Sequence, residues 1–581
     1  MRGISPKERY DVTIIGGGLS GLTSAALLSR AGLSCCVLEM DSRPGGYLAG
    51  FRRHDFRFDS AIHWLNNCGP EGMVTSIFKI IGNDFPRAME QKRIRRFLSD
   101  EFDYLLTNNP DELKEQWIKD FPHEKKGIIR FFRDAKRIAN SWERFKNLSR
   151  GFQTRGGLNK ALHGINMLRF SVPFIPHVSY VGEQGIKKGL NRYFKEPKLH
   201  RVFCSEPDML SCLVPISWAY CNDYQTPPAG GGQSFPEWLQ YASESLGADV
   251  FFKSKVSEIL LDGNRATGVK VEHREAEHTI NSDYIVAACD AETLYEKMLP
   301  ESIIPQKVKD NLKGAKLYSS AISVALGLDC PSEELGLGEE LTYLANPNYS
   351  RDELGGGDPA ISGITIIAHT VRDKSMALPE HGTLTLFMPS FISDHENWKC
   401  EKDENGNWIR GEKYKQLKQE CADIMIDRVE KHLVPDLRKH IIYCDVATPI
   451  THERYTGNKG GTMMGQKPGK ENYKLKVASY QTPVENLWLS GHWSELGGGV
   501  PIATKSALNT TLMVLQKQNK KVFNLLANYV DGNIGLKEVQ NSGLLTPYNS
   551  SWVQEKTPAQ KKVERREKEK FQNKAVSQSD I

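Results

Sequence analysis

Six residues near the amino terminus have the types and spacing to hold a phosphate. Gly16-Gly17-Gly18-Leu19-Ser20-Gly21 carries the G-x-G-x-x-G pattern. Gly16 permits a tight turn, Gly18 lets a pyrophosphate reach the backbone, and Gly21 lets a following helix pack close to a sheet. The free N–H groups at the start of that helix, at Leu19 and Ser20, and its positive dipole end favour an anion. Glu39 stands where an acidic side chain accepts hydrogen bonds from both hydroxyls of a ribose, and it repels a 2′-phosphate. Far down the chain Gly491, His492, Gly498, Gly499 and Val500 form a second glycine-rich turn. Three side chains beside these motifs could carry or shape a reaction. His63 could exchange a proton with a substrate carbon, Trp64 could wall a cavity, and Glu495 could carry a proton.

Definite elements must position these residues. Val12 to Ile15 is a short β-branched run that predicts a buried parallel strand. Leu22 to Arg30 has helical periodicity and stops at Ala31-Gly32. Leu33 to Leu38 predicts a second buried strand, with the adjacent Cys35 and Cys36 on opposite faces. The Ser42–Gly46 turn, with Arg43, Gly45 and Gly46, lets another backbone stretch cross nearby. Asn486 to Leu489 predicts a strand closed by Gly491, and Pro501 suits the first position of a helix to Gln518. A ligand held at both ends by segments so far apart is long, as FAD is. The second helix dipole would face the flavin N1–C2=O edge. Between the two lie a Pro/Gly loop at 227–232, a helix at 234–246 and four strands, with the backbone around Val256 beside the adenine. No Ser-His-Asp set, P-loop or metal box competes. Thr451-His452-Glu453-Arg454 lacks the H-E-x-x-H spacing of a zinc site, so no metal is expected.

Together these motifs resemble the phytoene desaturase, carotenoid isomerase and retinol saturase group of amine-oxidase-like flavoproteins. The matching residues are the glycine loop with Glu39, Arg43-Pro44-Gly45-Gly46, Phe56 to Trp64, Val256 to Val271, Thr448 to Thr451 with Arg454-Tyr455-Thr456, and Gly491 to Pro501. Tyr47 replaces the Arg that many desaturases carry after the paired glycines. His492 replaces their Asp. Both departures look more like the isomerase and saturase branch. The resemblance implies an α/β fold: a Rossmann-like FAD-binding domain in three segments (1–70, 225–300 and 475–520) and an α+β substrate domain (71–224 and 301–474). The latter would have a mixed sheet over the flavin and a helical cap. It also implies an FAD-dependent oxidoreductase that saturates or desaturates carbon–carbon double bonds of a long apolar polyene. A redox-neutral cis–trans isomerase is the alternative, with an amine oxidase and a prenyl-protein escort further off.

Composition narrows the class. The chain has 581 residues, a net charge of +5 and 39% hydrophobic residues. No run approaches the roughly 18 apolar residues of a spanning helix. The first residues are polar, so no secretory signal is expected. The 11 cysteines are scattered, without C-x-x-C pairs, as in a reduced cytoplasmic protein. Residues 125–195 carry 16 Lys/Arg against three acids, interleaved with apolar and aromatic residues. That composition suits peripheral docking on an anionic membrane. No nucleic-acid motif accompanies it. From 521 a polar extension is expected, with a mixed-charge run over 555–574.

Overall fold

The computed structural model describes residues 5–145, 148–404, 406–476, 478–556 and 560–568. Lys146 of the basic stretch and residues 557–559 and 569–574 of the charge run lie outside them.

Five parallel strands form the nucleotide domain, in the order Asp249–Phe251, Cys35–Leu38, Arg9–Ile15, Ala276–Ala287, Leu487–Leu489. Their register aligns Ile15 with both Leu38 and Ala287, and Ala287 with Leu489. Gly16, Glu39, Ala288 and Ser490 therefore emerge together at the carboxyl edge, where open α/β sheets bind ligands. Helices Leu19–Arg30, Ser234–Ser245 and Gly499–Gln518 bury one face of this sheet. Strands Ser254–Asp262 and Arg265–His273 continue it as an antiparallel meander on the long strand Ala276–Ala287. Cys35 belongs to the core on the helical face and Cys36 to the core on the other, as alternation requires.

The second sheet has seven strands, in the order 441–447, 320–328, 382–390, 364–367, 341–344, 93–98, 103–107. One pair, 341–344 with 93–98, is parallel and the rest are antiparallel, so the sheet is mixed. A helical cap stands beside it, built on Lys125–Phe145 and Met209–Tyr220 around Trp117, Phe131, Phe132 and Phe203.

Two sequence expectations change. The segment from 521 is not simply a polar extension. Helix Lys520–Val530 buries Val522, Phe523 and Leu526 in the nucleotide core. Asp84 then anchors the following chain, accepting from the Tyr548 hydroxyl at 2.9 Å and the Trp552 amide at 2.8 Å. The basic stretch also divides in two. On helix Lys125–Phe145 several cations are engaged: Arg133 and Arg137 flank Asp134, while Arg130 and Lys136 lie over Tyr193 and Tyr220. The exposed apolar side chains lie further on, in helix Gly157–Ser171 and its continuation.

Candidate active site

A cavity of about 870 Å³ runs from the carboxyl edge of the parallel sheet into the substrate domain. At its near end lie Gly16, Gly18, Leu19, Ser20 and Glu39. Gly18 caps helix Leu19–Arg30 with φ −74° and ψ 179°, and no side chain caps that helix end. A Cβ placed on Gly18 would meet nothing within 4 Å, so the cradle is open where a phosphate must approach. Gly21 works differently. Its Cβ would stand 2.0 Å from the Gly16 carbonyl oxygen, so it sets the helix against the strand and does not line the cavity.

Glu39 is 8% exposed. Its carboxylate accepts the Gly17 amide at 2.6 Å and the Asp41 amide at 2.8 Å. Burial nonetheless holds its pKa above the usual carboxylate range. Each oxygen keeps a further lone pair for a ribose hydroxyl. The Gly45 amide donates to the Gly17 carbonyl at 2.9 Å, drawing the Gly45-Gly46 turn against the phosphate loop. Val256 and its neighbours Ser254 and Ser257 wall the cavity beyond Glu39. Arg43 does not reach the cavity. It donates to the Gly50 carbonyl and lines a separate small cleft with Arg57 and Glu237.

Directly beside the phosphate loop lie Gly491, His492, Gly498, Gly499 and Val500, with the start of helix Gly499–Gln518. Buried hydroxyls join the two glycine turns. Ser20 and Ser490 are 2.5 Å apart, and Ser506 contacts both them and the Gly491 amide. A Cβ on Gly498 would fall 2.3 Å from that of Met464, which fixes the turn against the substrate domain. Burial pushes His492 down to about 4, so the ring that replaces an acid here is neutral. Tyr47 donates to the Gly461 and Thr462 carbonyls at 2.9 and 2.6 Å, tying the nucleotide loop to the substrate domain.

His63 and Trp64 both line the cavity. His63 is buried, and both its ring nitrogens lack a hydrogen-bond partner. Glu495 is placed elsewhere. Its carboxylate accepts from the Tyr480 hydroxyl and pairs with Lys505 at 2.7 Å, off the cavity wall. It pins the turn to its helix and does not reach the cavity, as a proton carrier would have to. The apolar end is walled by Trp142, Trp218, Tyr318, Phe387, Met463 and Met464, none of which the motifs indicate. These residues come from five separate stretches of chain, so no local spacing could have gathered them.

Residues 14–81 match the NAD(P)-binding Rossmann-like domain family. An all-trans-retinol 13,14-reductase of Danio rerio is 25% identical over 90% of this chain and 89% of its own length. A chloroplastic prolycopene isomerase of an Oncidium hybrid cultivar is 24% identical over 86% and 82%. A 4,4′-diapolycopen-4-al dehydrogenase of Metabacillus indicus is 22% identical over 88% and 98%. The chain is a homologue of the retinol reductases and prolycopene isomerases. This bears out the resemblance read from the motifs. Among solved structures, an oxidoreductase from Methanosarcina mazei superposes with a TM-score of 0.54 at 15% identity, covering 87% of this chain and all of its own. A putrescine oxidase bound to putrescine gives 0.55 at 15% identity, over 88% of this chain and all of its own. Both share the two-domain fold. The site is thus that of an oxidoreductase with a flavin or nucleotide cofactor.

Proposed function

We propose that the chain is an FAD-dependent oxidoreductase that adds or removes hydrogen across a carbon–carbon double bond of a long apolar polyene. One observation carries the reading: a single cavity continues from the phosphate cradle at Gly18, past a second helix terminus at Gly498, into an aromatic and methionine-lined end. Two helix termini on one cavity suit a ligand longer than the nucleotide half alone. Gly18, Leu19, Ser20 and Glu39 would hold the pyrophosphate and ribose, Val256 the adenine, and Gly498 to Val500 the flavin ring. Bound there, the cofactor supplies hydride transfer. The chain itself orients the polyene between Trp218, Phe387 and Met464, excludes water, and offers His63 at the cavity wall.

A redox-neutral isomerase is the second reading, favoured by the prolycopene isomerases among the relatives. Anaerobic incubation of the purified protein, in its oxidised and in its reduced form, with retinol and with prolycopene, followed by mass analysis, separates the two. Gain or loss of two hydrogens supports the first reading. Unchanged mass with altered retention supports the second. Hydrogen peroxide release from a simple amine in a parallel aerobic assay, with both polyenes intact, overturns both.

The source of such a substrate is a bilayer, and we place the membrane contact on helix Gly157–Ser171 and its continuation. Leu158 is 75% and Leu168 62% exposed, and Leu162, Ile165, Val172 and Ile175 share their side at helical spacing. Lys160 and Arg169 flank this stripe, as on helices that lie in an anionic interface. Among the described residues no helix is long and apolar enough to cross a membrane. Trp142, at the cavity's apolar end, packs on Phe170 at 5.4 Å and Phe174 at 5.6 Å. The same segment therefore roofs the substrate end and faces outward with its apolar side.

A further inference from the structure

Asp59, His63, His369 and Arg372 form a buried polar cluster behind the cavity wall. Asp59 ends strand Phe56–Asp59, His63 follows in the next turn, and the other two belong to the short helix His369–Arg372. The His63 and His369 rings stand 5.7 Å apart by their centroids, within reach of each other through one water. His369 Nδ1 lies 4.0 Å from Asp59 Oδ2. Arg372 donates to the His63 carbonyl and, at 2.7 Å, to the Glu339 carbonyl.

The cluster is unusual because it is left unsatisfied. Asp59 Oδ2, both nitrogens of His63, His369 Nε2 and Arg372 Nη2 are all buried without a hydrogen-bond partner. Buried polar atoms are nearly always paired, so orphans gathered in one place call for a physical explanation. Only His63 reaches the cavity; the other members stand behind it.

Resting on the functional reading above, we propose that Asp59, His369 and His63 form a proton relay that ends on the substrate carbon. In saturation the π bond breaks. The bound flavin, in its reduced form, would supply one carbon with a hydride and both of its electrons. The other carbon bonds the proton of one His63 ring nitrogen. As that N–H bond breaks, the opposite nitrogen bonds a proton passed from His369, which takes its own from the Asp59 carboxyl. Asp59 is left as a carboxylate and regains its proton from water. Desaturation runs the same path in reverse. His63 is the catalytic residue; His369 and Asp59 act through it.

The protonation states agree with this order. Burial pushes His63 down to about 3 and His369 well below its ordinary value, so both rings are neutral and must pass a proton by exchanging tautomers. Burial pushes Asp59 up to about 7, which makes it the member that holds a mobile proton near neutrality. The charges that face it are Arg57 and Arg372, which oppose that rise, and Asp373, which adds to it. Arg372 also faces Glu339 and Glu340. The Gly232 amide donates to Asp59 Oδ1 at 2.9 Å and leaves Oδ2 turned to His369.

The test compares the flavin-loaded wild type with His63→Gln, His369→Gln, Asp59→Asn and Asp59→Glu, each checked for flavin absorbance. Turnover of the polyene is followed against pH, in water and in D2O. In the saturating direction the wild type should slow as pH rises through about 7, with a solvent isotope effect. His63→Gln should lose about 10²–10⁴-fold in kcat, the range of a general acid. His369→Gln and Asp59→Asn should lower kcat with little change in KM and flatten the pH limb, and Asp59→Glu should restore part of it. Infrared spectra of the wild-type holoenzyme should show a buried protonated carboxyl that titrates near 7, whatever the fate of the variants. Variants that keep the wild-type pH limb and isotope effect, or a wild type without that carboxyl, overturn the relay. A wild type that leaves the mass of every polyene unchanged overturns the functional reading, and the relay with it.

Discussion

Gly18 and Gly21 belong to one sequence pattern, yet their substitutions should fail in opposite ways. At Gly18 the backbone is extended, at φ −74°, and open space faces the α-carbon. The Cβ of a valine there meets no protein atom and needs no strained backbone. Its main penalty for the apoprotein is a poorer helix cap, about 1 kcal/mol, or roughly 2 °C in Tm for a large domain. The bound state is different, because the three added carbons occupy the phosphate approach. If the pyrophosphate loses two backbone N–H bonds, each worth about 1.5–3 kcal/mol to a charged group, affinity falls by about 3–6 kcal/mol. That is roughly 10²–10⁴-fold in Kd. Gly21→Ala inverts the pattern. Its Cβ would stand 2.0 Å from the Gly16 carbonyl oxygen, so helix Leu19–Arg30 must lift off the sheet. Overpacking of this kind costs about 1–3 kcal/mol or more. The assay measures flavin absorbance per protein after gel filtration, FAD titration by tryptophan fluorescence, and melting of the stripped proteins. Gly18→Val should melt like the stripped wild type and come through colourless. Gly21→Ala should melt lower even without cofactor. Full flavin occupancy in Gly18→Val would refute the placement of the phosphate.

Lys505→Met should destabilise the chain by about 3–5 kcal/mol, because it strands the Glu495 carboxylate beside Tyr480. Glu495→Gln should keep its turnover per bound flavin; an abolished turnover with full occupancy would return Glu495 to the chemistry. His452 is buried and pushed down to about 4, while the unfolded chain binds that proton near 6.5. Folding stability should therefore fall as pH drops from about 6.5 to about 4, by an amount on the order of 3 kcal/mol from this ring. His452→Gln should flatten that slope in melts run against pH. Changing Leu162, Ile165 and Leu168 together to Asp should abolish flotation with anionic vesicles at low salt, whereas reversing Arg133 and Arg137 should weaken it only slightly. The opposite ranking would move the membrane contact to helix Lys125–Phe145.

The nucleotide half was legible in the sequence because its determinants are local. A strand, a turn, a helix and an acid at fixed spacing describe one supersecondary unit, and phosphate needs the backbone that such a unit presents. The cysteine pair, the Gly45-Gly46 crossing and the second glycine turn read correctly for the same reason. Tertiary structure decided which polar residues touch the cavity. Arg43 and Glu495 sit within motifs, but their side chains turn to Gly50 and to Lys505, choices that adjoining sequence does not encode. Asp59, His63 and His369 meet only because a hairpin end and a helix of the second sheet converge behind the wall, 310 residues apart along the chain. The charge of 125–195 was visible in composition, but not its division into a helix with paired cations and one with a bare apolar face. That division depends on which side of each helix the cap core covers, and only packing fixes it.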